Sequence, residues 1–134
     1  MTSQAAVART PGAKRAGPGE HIFDLARVNK IKGGPDYSSV EGACVEGDRM
    51  IVALMRMPAG TGAEAHSHPN EQWIYILEGT FKGRIGDKDF EAKAGSVVYV
   101  PSNAIHSGKA TPDADVVFFT CKDASHSLHG VKAA

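Results

Sequence analysis

From Arg49 onward the sequence is cut into short β-like runs closed by turn-forming residues, and that punctuation leaves few folds open. The runs are Met50 to Met57, Trp73 to Leu77, Phe81 to Ile85, Asp89 to Ala92, Val97 to Val100 and Val116 to Cys121. Between them stand Pro58-Ala59-Gly60-Thr61-Gly62, Glu78-Gly79, Gly86-Asp87, Lys93-Ala94-Gly95, Pro101-Ser102-Asn103 and Thr111-Pro112-Asp113. Strands this short and this closely spaced, with no long amphipathic helix between them, predict an all-β domain of two antiparallel sheets. Parallel βαβ units, which need a crossover helix, are excluded.

The chain's 134 residues suit one domain that can bury a core without disulfides. Residues 1–19 (MTSQAAVARTPGAKRAGPG) carry Ala, Gly, Pro and scattered positive charge but almost no large apolar residue, so they are expected to form a flexible arm. The domain is then 20–134, ending in a short tail. His21 to Lys32 reads equally as a strand or a helical turn. Fifteen basic residues balance 15 acidic ones, which argues against a nucleic-acid or membrane-surface partner. Cys44 and Cys121 are far apart and expected to be free thiols, and no signal-like apolar run is visible. A cytoplasmic setting is expected.

Histidine occurs at 21, 66, 68, 106, 126 and 129, and one subset has spacing that suits a metal. In an extended strand His66 and His68 point to one face and can chelate one ion. Continued extension gives Gln72 the same parity, whereas a break at Pro69-Asn70 would reset the count and could turn Glu71 inward. His106 begins another strand after the Pro101 turn. Three neutral imidazoles with an oxygen donor suit a divalent first-row ion (Fe, Mn, Ni, Co or Zn) at an open site, unlike the closed, cysteine-rich sites of structural zinc.

These residues resemble the two motifs of the cupins, and the chain is similar to the small, single-domain bacterial kind. The first motif, G(X)5HXH(X)3–4E(X)6G, is matched by Gly60, His66, His68, Gln72 and Gly79, with glutamine where glutamate is commonest. The second, G(X)5PXG(X)2H(X)3N, is matched by Gly95, Pro101 and His106, with Asn103 and Ala110 replacing glycine and asparagine. The resemblance covers Gly60 to Ala110. It implies a jelly-roll-like cupin barrel with a metal held by His66, His68, Gln72 and His106. Cupins with three histidines and a glutamine include a pectin-degradation cupin acting on unsaturated uronates, polyketide cyclases and a hydroxynitrile lyase. Such a neutral ligand set leaves the ion its full charge and favours Lewis-acid chemistry.

The resulting expectation is a metal-dependent enzyme acting on a small oxygenated substrate by isomerase, lyase or cyclase chemistry. Fe(II)-dependent dioxygenation and non-catalytic metal or ligand binding are the alternatives. Glu71 is the candidate catalytic base, although its opposite parity favours an outward position from which it could orient a ligand imidazole. Candidate substrate contacts are Arg56, Met55, Met57, Ile74 and Tyr99, with Met55 and Met57 opposite in parity to Arg56. Trp73, Tyr75 and Leu77 alternate with Ile74 and Ile76, so this strand is apolar on both faces, and a second subunit, forming a homodimer, is expected to cover one of them, with the N-terminal segment as the alternative cover. His126 and His129 are expected at the surface of the tail, with a tail folded over the barrel mouth as the alternative. His21 is assigned to the surface.

Overall fold

Buried and less buried residues alternate along Met50–Met57, Gln72–Glu78 and Val116–Asp123, because successive side chains of a strand leave opposite faces. The computed structural model describes residues 8–133. Its strands are β1 (Lys14–Arg15), β2 (Lys30–Lys32), β3 (Glu41–Glu46), β4 (Met50–Met57), β5 (Gly62–Ser67) and β6 (Gln72–Glu78). They continue with β7 (Thr80–Ile85), β8 (Lys88–Lys93), β9 (Val97–Val100), β10 (His106–Ala110), β11 (Val116–Asp123) and β12 (Val131–Lys132). The ambiguous segment after His21 resolves into both of its readings, a 3-10 turn at Leu25–Arg27 followed by β2.

The strands form two sheets. The larger has the order β1-β3-β4-β11-β6-β9, with β2 also paired to β3, and the smaller the order β12-β5-β10-β7-β8. Among the described residues no strand of one sheet pairs with a strand of the other, so the architecture is a jelly-roll sandwich rather than one continuous barrel ladder. One pairing departs from the expected antiparallel arrangement: β1 runs parallel to β3, with Lys14 opposite Val45.

Cross-strand neighbours on the inner face of the larger sheet line up in rows. One row is mostly apolar: Cys44, Ala53, Thr120, Ile74 and Val98, from β3, β4, β11, β6 and β9. The next runs Glu46, Ile51, Lys122, Gln72 and Val100, so it carries three polar side chains, all buried. Full burial of an Ile51 or Ile76 side chain contributes roughly 1.5–3 kcal/mol. A buried polar group without a partner costs about as much. The polar row is therefore tolerable only if each member is bonded, and it marks one end of the sandwich.

Both chain ends close this end of the molecule. Backbone N–H groups of Arg9 and Thr10 donate to the two oxygens of the buried Glu46 carboxylate, at 2.6 and 2.9 Å. Thr10 Oγ1 accepts from Leu128 N–H at 2.7 Å, tying the N-terminal segment to the C-terminal tail. The tail buries Leu128 in the core and ends in β12, paired with β5. The arm expected over 1–19 is thus corrected for residues 8–15, which are held on the body, while 1–7 lie outside the described residues. Composition carries no trace of this because the attachment runs mainly through hydrogen bonds of Arg9, Thr10 and Arg15 rather than through large apolar side chains.

Two turn positions explain motif residues. Gly79, between β6 and β7, has φ of 85°, and a Cβ there would stand 2.3 Å from the Asp115 carbonyl oxygen. Asn103 has φ of 63° and occupies the position where the resembled motif has glycine, since asparagine is among the few side chains that tolerate the left-handed region. Gly79→Ala should destabilise the protein by about 1–3 kcal/mol, read as a lowered urea midpoint with unchanged slope.

Candidate metal centre

The three motif histidines come from two adjacent strands and the loop that follows one of them. His66 on β5 is the register partner of His106 on β10, and their ring centroids are 4.1 Å apart. His68 lies just past the end of β5, 4.9 Å from His106 and 6.0 Å from His66 between centroids. A potential ligand atom from each ring lies within 4.8 Å of the other two, and all three residues are buried.

Backbone carbonyls fix which atoms converge. Nδ1–H of His66 donates to Glu64 O at 2.7 Å, that of His68 to Asn70 O at 2.8 Å, and that of His106 to Ala104 O at 2.9 Å. With every Nδ1 proton committed, each Nε2 offers its lone pair to the common space, the tautomer a metal requires. Burial depresses the pKa of all three rings, that of His66 to about 3, with the neighbouring His106 adding to the effect, and that of His68 to about 4, with Lys122 adding. The histidines are therefore neutral at pH 7.

Gln72 supplies an observation that favours a cation. Its side-chain N–H donates to Thr120 Oγ1 at 2.8 Å, and the Thr120 hydroxyl donates in turn to Trp73 O at 2.8 Å. The amide orientation is thereby set, and Oε1 faces His68 Nε2 at 3.1 Å. If the His68 proton is on Nδ1, that contact brings together two lone-pair acceptors with no proton between them. The other tautomer moves the same conflict to Asn70 O, and the doubly protonated ring is excluded at neutral pH by its low pKa. A metal ion at the Nε2 cluster would satisfy both acceptors. The donor set of His66, His68, His106 and Gln72 thus fits one divalent ion.

Gln72 and Glu71 separate because the chain changes sheets between them and β5. His68 to Glu71 forms the crossing from the smaller sheet to the larger, so a strand count carried through Pro69 has no structural basis, and β6 begins anew with Gln72 inward. Glu71 faces outward. Its backbone N–H donates to Asp123 Oδ2, and its carboxylate accepts from Tyr99 Oη at 2.9 Å, beside the tilted contact of the Trp73 and Tyr99 rings. The candidate roles of Glu71 as base and Tyr99 as substrate contact are corrected accordingly. Arg56 also faces outward, paired with Asp115 at 2.9 Å, a contact between exposed groups.

Met55, Met57 and Ile74 do reach the site. They line a cavity of about 70 Å³ together with His66, His106, Gln72, Phe81, Phe118, Lys122 and Leu128. Among the described residues no carboxylate lines it. Tyr37 stacks on His66 with centroids 4.1 Å apart and accepts Gly130 N–H at 2.8 Å, so the tail buttresses a ligand ring. Asn70 does the same from the other side, donating to the carbonyls of Asp123, His126 and Ser127. The tail therefore folds over the site, while the side chains of His126 and His129 stay out of the cavity: His129 bonds Lys32 O and His126 the Ser125 hydroxyl.

Lys122, Thr120 and Tyr37 escaped the sequence reading. For the first two a signal existed, because Val116, Phe118, Thr120 and Lys122 share one parity along β11 and three of them are suited to an interior. Burial pulls the Lys122 ammonium down to about 7. Tyr37, in a loop, left no periodic trace.

With this geometry in place, the comparisons are specific about family. Residues 53–121 match the cupin domain family, half of the chain, and the protein belongs to that family. No functionally curated protein matches the sequence. Solved structures of similar fold include a cupin-2 domain from Rhodospirillum rubrum, at 15% identity and a TM-score of 0.70 over 87% of this chain and 82% of that one. A polyketide cyclase from Streptomyces resistomycificus is 18% identical, with a TM-score of 0.69 over 79% and 80% of the two chains. A predicted oxalate decarboxylase from Thermotoga maritima is 23% identical, with a TM-score of 0.66 over 77% of this chain and 98% of that one.

The depressed histidines predict a pH dependence for the metal-free protein. The unfolded chain binds protons from pH 6.5 downward, whereas folded His66 and His68 resist them to about 3 and 4, so the contribution of these two rings to stability is full above 6.5 and falls as pH is lowered through that window. Urea unfolding from pH 7 to 4 should show this slope, and His66→Gln should flatten it.

Proposed function

We propose that the protein is a metal-dependent enzyme acting on a small oxygenated molecule bearing carbonyl, hydroxyl or carboxylate groups, by isomerase, lyase or cyclase chemistry. The observation that carries this reading is the convergence of three Nε2 lone pairs and the Gln72 oxygen on one buried point beside a cavity. A bound divalent ion (Fe, Mn, Ni, Co or Zn) would polarise a substrate oxygen and stabilise negative charge developing on it, undiminished by any carboxylate ligand. The chain's own contribution is orientation and dryness. Three backbone carbonyls hold the imidazoles in one tautomer, Thr120 holds the glutamine amide, and Met55, Met57 and Ile74 exclude water from the reacting group. The free thiols of Cys44 and Cys121 support a reducing, cytoplasmic setting.

Elemental analysis of protein purified without chelators should find close to one transition-metal ion per chain. Gln72→Ala should weaken metal binding by at least the roughly 10- to 100-fold that loss of an outer-shell partner costs, and Glu71→Ala should leave it unchanged. Turnover or proton exchange with unsaturated uronates or hydroxynitriles would support the proposed class. Oxygen uptake by the Fe(II)-loaded protein with diketones or catechols would replace it with dioxygenation.

We also propose a homodimer through the outer face of the larger sheet. Trp73, Tyr75, Leu77, Val97, Tyr99 and Phe119 are all at least 36% exposed there, and paired strands place Trp73 beside Tyr99 and Tyr75 between Val97 and Phe119. Such a sheet face can meet its own copy about a twofold axis. Replacing Trp73 and Tyr75 together by lysine should halve the sedimentation mass and leave the metal content intact.

A further inference from the structure

Lys122 is the buried charge that metal binding leaves unused. It ends the inward row of β11 and lies between Gln72 on β6 and Ile51 on β4. Its side chain is buried, yet it forms part of the cavity wall with His66, His106 and Gln72. Its hydrogen-bond partner among the described residues is the Leu128 carbonyl, which leaves further ammonium donors without an acceptor. The nearest carboxylate on its row, Glu46, is two strands away and engaged by the N–H groups of Arg9 and Thr10.

The Leu128 carbonyl answers one of its donors, and among the described residues nothing of opposite charge faces it from the cavity wall. The histidines and Gln72 are neutral, and among the described residues no acidic side chain lines the cavity. Adding a divalent ion would make the interior more positive still. A buried cation persists when something in its site compensates it, and here the group with room to do so is the occupant of the cavity. Met55, Met57 and Phe81 give the rest of the space an apolar lining.

We propose that Lys122 is a specificity-determining residue that binds the carboxylate of a small monoanionic substrate, of the class of short-chain α-hydroxy or α-oxo acids. The carboxylate sits against Lys122, the hydrocarbon part lies on the methionines and Phe81, and the α-oxygen is directed to the Nε2 cluster. A cavity of about 70 Å³ restricts the site to molecules of a few heavy atoms. The α-oxygen assignment rests on the metal-dependent reading above, whereas the carboxylate assignment rests on Lys122 alone.

The test compares lactate with lactamide, which have nearly the same shape and differ in charge, by calorimetric titration of metal-free and zinc-loaded protein. Wild type should prefer lactate by about tenfold or more, as expected for a buried charge-assisted hydrogen bond. Lys122→Met and Lys122→Gln should both lose that preference while keeping wild-type zinc stoichiometry and circular dichroism, and Lys122→Arg should keep part of it. Equal binding of the two ligands to wild type, no lactate binding at millimolar concentration, or a preference that survives in a folded neutral variant would each overturn the proposal. If zinc does not bind at all, the metal-dependent reading falls, and lactate preference in the metal-free protein still decides the role of Lys122.

Discussion

The structure depends on three hydrogen bonds in which a buried imidazole gives its Nδ1 proton to a nearby backbone carbonyl. Buried histidines at 2–8% exposure are costly unless each polar nitrogen has a partner. The carbonyls of Glu64, Asn70 and Ala104 satisfy one side of each ring and turn the other side toward a common point. The β5–β10 register, which sets His66 opposite His106, and the crossing that carries His68 toward β6 are what bring the three rings to that point.

The larger sheet answers with its polar row. Gln72 and Lys122 are cross-strand partners, so one strand pair delivers an oxygen donor and a cation to the same end of the sandwich. The charge of Lys122 reaches all three imidazoles and helps keep them unprotonated. Glu46, on the same row, is used differently. Its carboxylate anchors the N-terminal segment, whose Thr10 holds Leu128, whose carbonyl accepts from Lys122. Both termini are thereby coupled to the position of the buried lysine.

The two faces of the larger sheet show how strictly strand parity divides labour. Inward positions of β4, β6 and β11 are apolar or belong to the site. Their outward neighbours form an aromatic surface around Trp73 and Tyr99 and exposed ion pairs such as Arg56 with Asp115. Pairs of that exposed kind contribute about 0–1 kcal/mol and do not hold the fold. What the outer face offers is exposed apolar and aromatic area.

Much of the fold was legible in the sequence because it rests on local rules. Turn residues bound the strands of residues 50–57 and 97–100, alternation set Met55 and Met57 opposite Arg56 without fixing which of them faces inward, and the HXH spacing with His106 singled out the three rings that cluster. Asn103 and Gly79 were legible as turn positions, and the structure adds the positive φ that requires them. Tertiary structure alone decided the rest. The change of sheet at His68 to Glu71 sends Gln72 in and Glu71 out, a matter no count along one strand can settle. The anchoring of residues 8–15 joins backbone N–H groups of Arg9 and Thr10 to the carboxylate of Glu46, a residue some 36 positions away that no local pattern links to them. Lys122 becomes part of a site only because antiparallel pairing sets it beside a residue 50 positions earlier. Local pattern determines which face a side chain takes, and only the register between distant strands determines what it meets there.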